Sequence, residues 1–216
     1  MLITAHPHIK PPIIRPLNVG DTAAYRVLRQ KILAIGDGRY FSDSYTREAA
    51  LNEQQWLNWC TETPEHCILG MFDNGHLIGT MMATQLGAPE ELTVEWEAIW
   101  LDPLYRKQGI AKNAYEQVEQ WTLDQGYDRV VLYIRADNAR SQEIHRKQGA
   151  IYTHTKHNEV WADGSVADTH CFVLRLPSIP SIGANAHYNQ LPVFWKTPYT
   201  SPSTNKIGEK RACNER

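Results

Sequence analysis

Trp100-Leu101-Asp102-Pro103-Leu104-Tyr105-Arg106-Lys107-Gln108-Gly109-Ile110-Ala111 passes from an aromatic, β-branched segment through a proline and glycine turn into an amphipathic stretch. Upstream, Leu92 to Leu101 reads as a strand. Downstream, Ile110, Ala111, Ala114, Tyr115, Val118, Trp121 and Thr122 share one helical face, and Gly126 stops the helix. A strand that feeds a helix through glycine makes an anion cradle, because the first helical N–H groups have no partner of their own and the helix dipole adds positive charge there. Gly109 removes the Cβ that would stand between backbone and ligand, and small Ala111 allows similar approach.

Working outward, a second strand is expected at Arg129 to Ile134 and a short helix from Asn138 to Lys147, closed by Gly149. On the N-terminal side the pattern predicts a strand at Ile13 to Pro16 and a helix from Asp21 to Ile35, with Asp21 as its cap. A loop follows at Gly36 to Tyr45, then a helix opened by Thr46 that carries Leu51, Trp56, Leu57 and Trp59. Cys67 to Phe72 and His76 to Ala83 flank Asp73-Asn74-Gly75, a strong hairpin signal. A last strand pair, Ile151 to Lys156 and Thr169 to Leu176, brackets a hydrophilic loop from Val160 to Asp168.

Composition narrows the class. The 216 residues suffice for one substantial core. With 22 Lys and Arg against 24 Asp and Glu, the net charge of −2 gives no basic excess for a nucleic-acid partner. Cys60, Cys67, Cys171 and Cys213 form no Cys-x-x-Cys pair, so neither zinc nor a disulfide framework is expected. No apolar run is long enough for a membrane span and Met1 to Pro12 lacks a signal-peptide pattern, which leads to the expectation of a cytoplasmic protein. The division expected is an extension at 1–12, a domain at 13–176 and a tail at 177–216 that is rich in Pro, Ser, Thr and Asn. That tail carries Tyr188, Leu191, Val193, Phe194, Trp195 and Tyr199, so both docking and disorder are open to it.

The chain resembles the GNAT superfamily of acetyl-CoA-dependent N-acetyltransferases. Arg106-Lys107-Gln108-Gly109-Ile110-Ala111 meets that superfamily's Gln/Arg-x-x-Gly-x-Gly/Ala signature, led in by Leu101-Asp102-Pro103. Asn138, Ser141 and Gly149 meet its later pattern, with His145 standing where tyrosine is usual and Ala150 where phenylalanine is usual. The resemblance covers roughly residues 13 to 176. It implies a mixed, mostly antiparallel α/β (α+β) sheet with helices on both faces, splayed where acyl-CoA enters between the strand ending at Leu101 and the strand at Val130 to Ile134.

The resemblance also implies acetyl-CoA as acyl donor, with no metal. Trp100, Leu101, Arg106, Lys107, Gln108, Gly109, Ile110 and Ala111 would hold the donor, chiefly through backbone N–H groups, with Asn138 and Ser141 contributing near pantetheine. Asn138 serves equally as a helix cap. Glu95 and Glu97 point to one side of their strand and are the candidate bases, placed to attract a cationic amine. His145 is the candidate acid, with imidazolium as the proton donor to the leaving thiolate; Tyr133 and Tyr152 are alternative hydroxyl donors, and release of the thiolate to water without a dedicated acid is the third course. The expected partners are acetyl-CoA and a small amine or a peptide N-terminus, with Arg39 available for a substrate carboxylate, no nucleic acid and no membrane; a homodimer is compatible with the sequence. A non-catalytic acyl-CoA-binding module is the alternative. A dinucleotide-dependent oxidoreductase is disfavoured, since Gly-x-Gly-x-x-Gly is absent and the glycine turn comes late.

Overall fold

The computed structural model of the chain describes residues 11–42 and 44–177. The apolar tail beyond Pro177 and most of the N-terminal extension fall outside those residues. Seven strands form one sheet: β1 (Ile13–Pro16), β2 (His66–Asp73), β3 (His76–Gln85), β4 (Thr93–Leu101), β5 (Arg129–Arg135), β6 (Ile151–Val160) and β7 (Val166–Arg175). Their order is β1-β2-β3-β4-β5-β7-β6, and β4/β5 is the parallel pair in an otherwise antiparallel sheet. That mixed, mostly antiparallel arrangement with helices on both faces is the fold expected. Among the described residues no helix is long and apolar enough to cross a membrane.

Two helix layers cover the sheet because its strands alternate. Cys67, Leu69 and Met71 of β2 join Met81, Val94, Trp96, Val130, Leu132 and Phe172 in one core, which α4 (Ile110–Asp124) closes with Ile110, Ala114, Val118 and Trp121. On the other face, Ile68 and Phe72 pack with Leu17, with Tyr25 of α1 (Thr22–Ala34), and with Trp56 and Trp59 of α3 (Glu53–Trp59). Leu28 and Ile32 of α1 meet Phe41 and Trp100 beside them. Arg29 of α1 and Glu48 of α2 (Tyr45–Ala49), exposed by 5% and 0% at the side chain, form a buried ion pair that fixes the short helix to the long one. α5 (Ala139–Lys147) lies beside α4, joined through Tyr115 and His145.

Three local expectations are corrected. Asp21 makes no side-chain cap on α1; it accepts from Asn18 N–H and pairs with Arg15 at 2.7 Å, so Asn18 and Asp21 cap the preceding 3-10 turn instead. The helix expected to open at Thr46 is two helices, because Ser44 caps α2 and Asn52, with Gln55, builds a capping box on α3. The last hairpin reaches further than alternation shows, to Val160 and Val166, leaving a loop of five residues, 161–165.

The deviation in β4 matters for the site. Val94 and Trp96 face α4, yet Ile99 and Leu101 also face that core while Trp100 faces α1, so side-chain parity flips between Trp96 and Ile99. The register with β3 shifts by one residue there, and Ala98 takes φ 51°, a left-handed conformation that disfavours any residue carrying a Cβ. The Thr80 hydroxyl donates to the Ala98 carbonyl at 3.3 Å and helps hold this bulge.

Candidate active site

β4 and β5 pair over three positions, Thr93 with Arg129, Val94 with Val130 and Glu95 with Val131, and then part. Among the described residues β4 and β5 share no pair beyond Glu95 and Val131, so the two strands splay from there, Trp96–Leu101 parting from Leu132–Arg135. The glycine turn sits at the open end of this splay, at the head of α4. Gly109 is the residue before α4 and has φ 83°; no side chain caps the helix there, and a Cβ built on Gly109 meets no atom within 4 Å. An uncapped 15-residue helix whose approach is kept clear by glycine has the donor set and the room that a pyrophosphate needs. Lys107, at φ 63°, shares the tight turn.

The side chains of this segment do other work. Arg106 Nε donates to the Leu101 carbonyl at 2.8 Å, and its Nη2 donates to Asp37 Oδ2 at 2.9 Å, so Arg106 braces the end of β4. Gln108 donates to the Leu104 carbonyl at 3.0 Å. The Trp100 indole N–H donates to Asp37 at 3.1 Å on the α1 face, which leaves only the Trp100 backbone on the gap. Burial acts to raise the Asp37 carboxyl, but the bonds from Arg106 and Trp100 prevail and hold it below the ordinary carboxylate range. Asn138 accepts from Ser141 N–H at 3.2 Å and caps α5.

Glu95 and Glu97 precede the bulge and therefore share the face opposite Val94 and Trp96, on the α1 side of the splay. Glu95 is buried and pairs in register with Thr84, and Glu97 pairs with Met82 and is half-buried. Two loops close over this side. Arg135, at the end of β5, donates through Nη1 to the Arg39 carbonyl at 3.2 Å and to the Ser165 hydroxyl at 2.8 Å, and lies 3.1 Å from Asp137. The Trp161 ring sits 5.6 Å from its guanidinium. The Trp161 indole N–H and the Thr169 hydroxyl are buried there without a protein partner. Arg39 itself is exposed and lies over its own neighbour Tyr40, at 4.6 Å.

The structure places His145, the candidate acid, in the core. It is 2% exposed, its ring meets Tyr115 edge-on at 5.5 Å, its Nδ1 lies 2.9 Å from Gln148 Oε1, and the Tyr115 hydroxyl lies 3.4 Å from its Nε2. Burial pushes its pKa down to about 4 against the weaker opposing bond from Gln148, so the ring is neutral at pH 7 and imidazolium is not available. Neutral burial has a thermodynamic consequence. The unfolded chain takes up the proton near pH 6.5 and the folded chain only near pH 4, so His145 stabilises the fold above 6.5 and that contribution is lost as pH falls toward 4. A loss of about 3 kcal/mol is expected across that interval. Melting curves of His145→Gln should be flatter with pH there than those of the natural chain; identical slopes would contradict the burial assignment.

Sequence reasoning missed Asp37, Arg135 and the bulge at Ala98. Gly36-Asp37-Gly38 reads only as a turn, and a bulge has no signature in an apolar run that alternates through it.

The sequence model of the acetyltransferase (GNAT) family matches residues 34–150, just over half the chain, and the chain belongs to that family. No curated protein matches the chain in sequence. Among solved structures, a GNAT-family acetyltransferase from Streptococcus pneumoniae is similar over 77% of this chain and 99% of its own, with 14% identity and a TM-score of 0.66. yncA from Salmonella typhimurium, assigned as an acetyltransferase and solved with its cofactor acetyl-CoA, covers 81% of this chain and 99% of its own at 17% identity and TM-score 0.65. The ribosomal-protein-S18-alanine N-acetyltransferase of Escherichia coli gives 17% identity, TM-score 0.58, and coverage of 80% and 97%. At such identities these likenesses speak to the fold alone.

Proposed function

We propose that this chain transfers an acetyl group from acetyl-CoA to a primary amine, of a small molecule or a peptide N-terminus, by direct attack in a ternary complex. The observation that carries the reading is the splay of β4 from β5 beyond Glu95 and Val131, with the uncapped head of α4 at its mouth. The N–H groups of Gln108 to Ala111 hold the pyrophosphate, and a β4 backbone N–H near Leu101 polarises the thioester carbonyl. Glu97, with Glu95 beside it, takes the proton from the attacking amine directly or through water. The thiolate departs to water, since His145 is neutral and buried. Asn138 and Ser141, at the head of α5, contribute near the pantetheine arm of the cofactor. A cytoplasmic location without nucleic-acid or membrane partners belongs to the same reading, as does room for a homodimer.

The burial of His145 favours one second reading, a non-catalytic acyl-CoA-binding module. Thiol release over an amine panel separates the two. Transfer in a ternary complex predicts that initial rates at several acetyl-CoA and amine concentrations give intersecting reciprocal plots. Parallel plots would indicate an acetylated enzyme and contradict direct attack, and tight acetyl-CoA binding with no acetylated amine would support the binding module.

A further inference from the structure

His66, Thr84 and Glu95 stand side by side across β2, β3 and β4, since His66 pairs in register with Thr84 and Thr84 with Glu95. Directly opposed residues share a sheet face, so this row lies on the same face as Glu97, two positions further along β4. All three residues are buried, at 4%, 8% and 7% exposure. The histidine fixes which way the hydroxyl between them points. His66 Nε2 lies 3.0 Å from the Trp59 carbonyl oxygen, which can only accept, so Nε2 carries a proton. Burial pushes the His66 pKa down and outweighs the opposing bond with Trp59, so the ring is neutral at pH 7 and Nδ1 holds a lone pair. The Thr84 hydroxyl, 3.2 Å from Nδ1, is therefore the donor. With its one proton committed to β2, Thr84 Oγ1 turns only lone pairs toward β4.

We propose that His66 and Thr84 are positioning residues for acetyl transfer: the lone pairs that Thr84 presents to Glu95 accept a hydrogen bond from that carboxyl once it holds the proton of the amine. The inference rests on the acetyl-transfer reading above. The amine loses its proton as its nitrogen bonds the acetyl carbon, the electron pair of the broken carbon–sulfur bond leaves on the thiolate, and water protonates the thiolate. Glu95, beside Glu97, keeps the proton of the amine until the hydroxide so formed removes it. An ionised carboxylate meets only lone pairs at Thr84, so the hydrogen bond forms in the protonated state alone and the row favours proton transfer onto Glu95. Glu95 is faced by His66 across β3, by Glu97 on its own strand and by Tyr133, which follows Val131 on the same face of β5 and carries Lys156 at 4.1 Å from its ring.

Thr84→Val, which removes the hydroxyl and nearly keeps the shape, tests the assignment through the pH dependence of kcat. In this variant the acid limb of the profile should move to lower pH by about one unit and the plateau should fall by about three- to tenfold, because the protonated carboxyl has lost its acceptor. Acetyl-CoA affinity should be unchanged, and Thr84→Ser should return the limb to its natural position. An acid limb that stays in place in a folded Thr84→Val, or one that Thr84→Ser displaces as far as valine does, would overturn the inference. The ring-nitrogen resonances of His66 in the natural chain give a second reading that needs no variant. A ring protonated at Nε2 and bare at Nδ1 is expected at neutral pH, and a proton on Nδ1 would overturn the inference. A natural chain that transfers acetyl to no amine would instead overturn the proposed function, and the positioning role with it, while leaving the His66 tautomer as it is.

Discussion

Gly109→Gln is expected to weaken acetyl-CoA binding by about two to four orders of magnitude while leaving the fold intact. A Cβ at Gly109 would meet no protein atom within 4 Å beyond its chain neighbours, so the space in front of the helix head is open to a side chain. On the proposed reading it enters the volume through which a pyrophosphate would reach the first N–H groups of α4. Losing about two charge-assisted hydrogen bonds, each worth about 1.5–3 kcal/mol, corresponds to the stated loss of affinity. The cost to stability is about 1–2 kcal/mol, from placing a Cβ at φ 83°. Calorimetric titration alongside thermal melting checks both. Unchanged affinity in a folded variant would remove the cradle from the head of α4.

Glu97→Gln should lower the rate of acetyl transfer at neutral pH by about a thousandfold, within the range for removal of a general base, with acetyl-CoA affinity unchanged. The side chain lies on the α1 face of the splay and the cradle at its open end, so the variant separates chemistry from cofactor binding. The ratio of natural to variant rate should shrink as pH rises, because more of the amine is then deprotonated without help. A ratio that stays flat with pH would make Glu97 a structural residue and pass the role to Glu95.

The parts of the fold that local chemistry dictates are the parts the sequence makes legible. Asn74 and Gly75 adopt φ 47° and 82°, as the Asp-Asn-Gly hairpin signal requires, and Gly109 takes the left-handed conformation that its place before an amphipathic helix demands. The splay between β4 and β5 was expected from the family resemblance. What stays hidden depends on contacts distant in sequence. Asp37 meets Arg106 and Trp100 across more than sixty residues, and Arg135 reaches back to Arg39 across 96. The fate of His145 is likewise set by another helix. Its position suits chemistry, but burial beside Tyr115 disfavours its charged form and outweighs the opposing bond with Gln148. The bulge at Ala98 cannot be read from alternation, since both faces of β4 are apolar near it.

The most direct test of the account is a calorimetric titration of the full chain with acetyl-CoA, with CoA and NAD in parallel. The account predicts saturable binding of acetyl-CoA and CoA and none of NAD. A chain that binds neither CoA species would contradict it, and the uncapped helix at the mouth of the splay would then be a feature of the fold without a ligand.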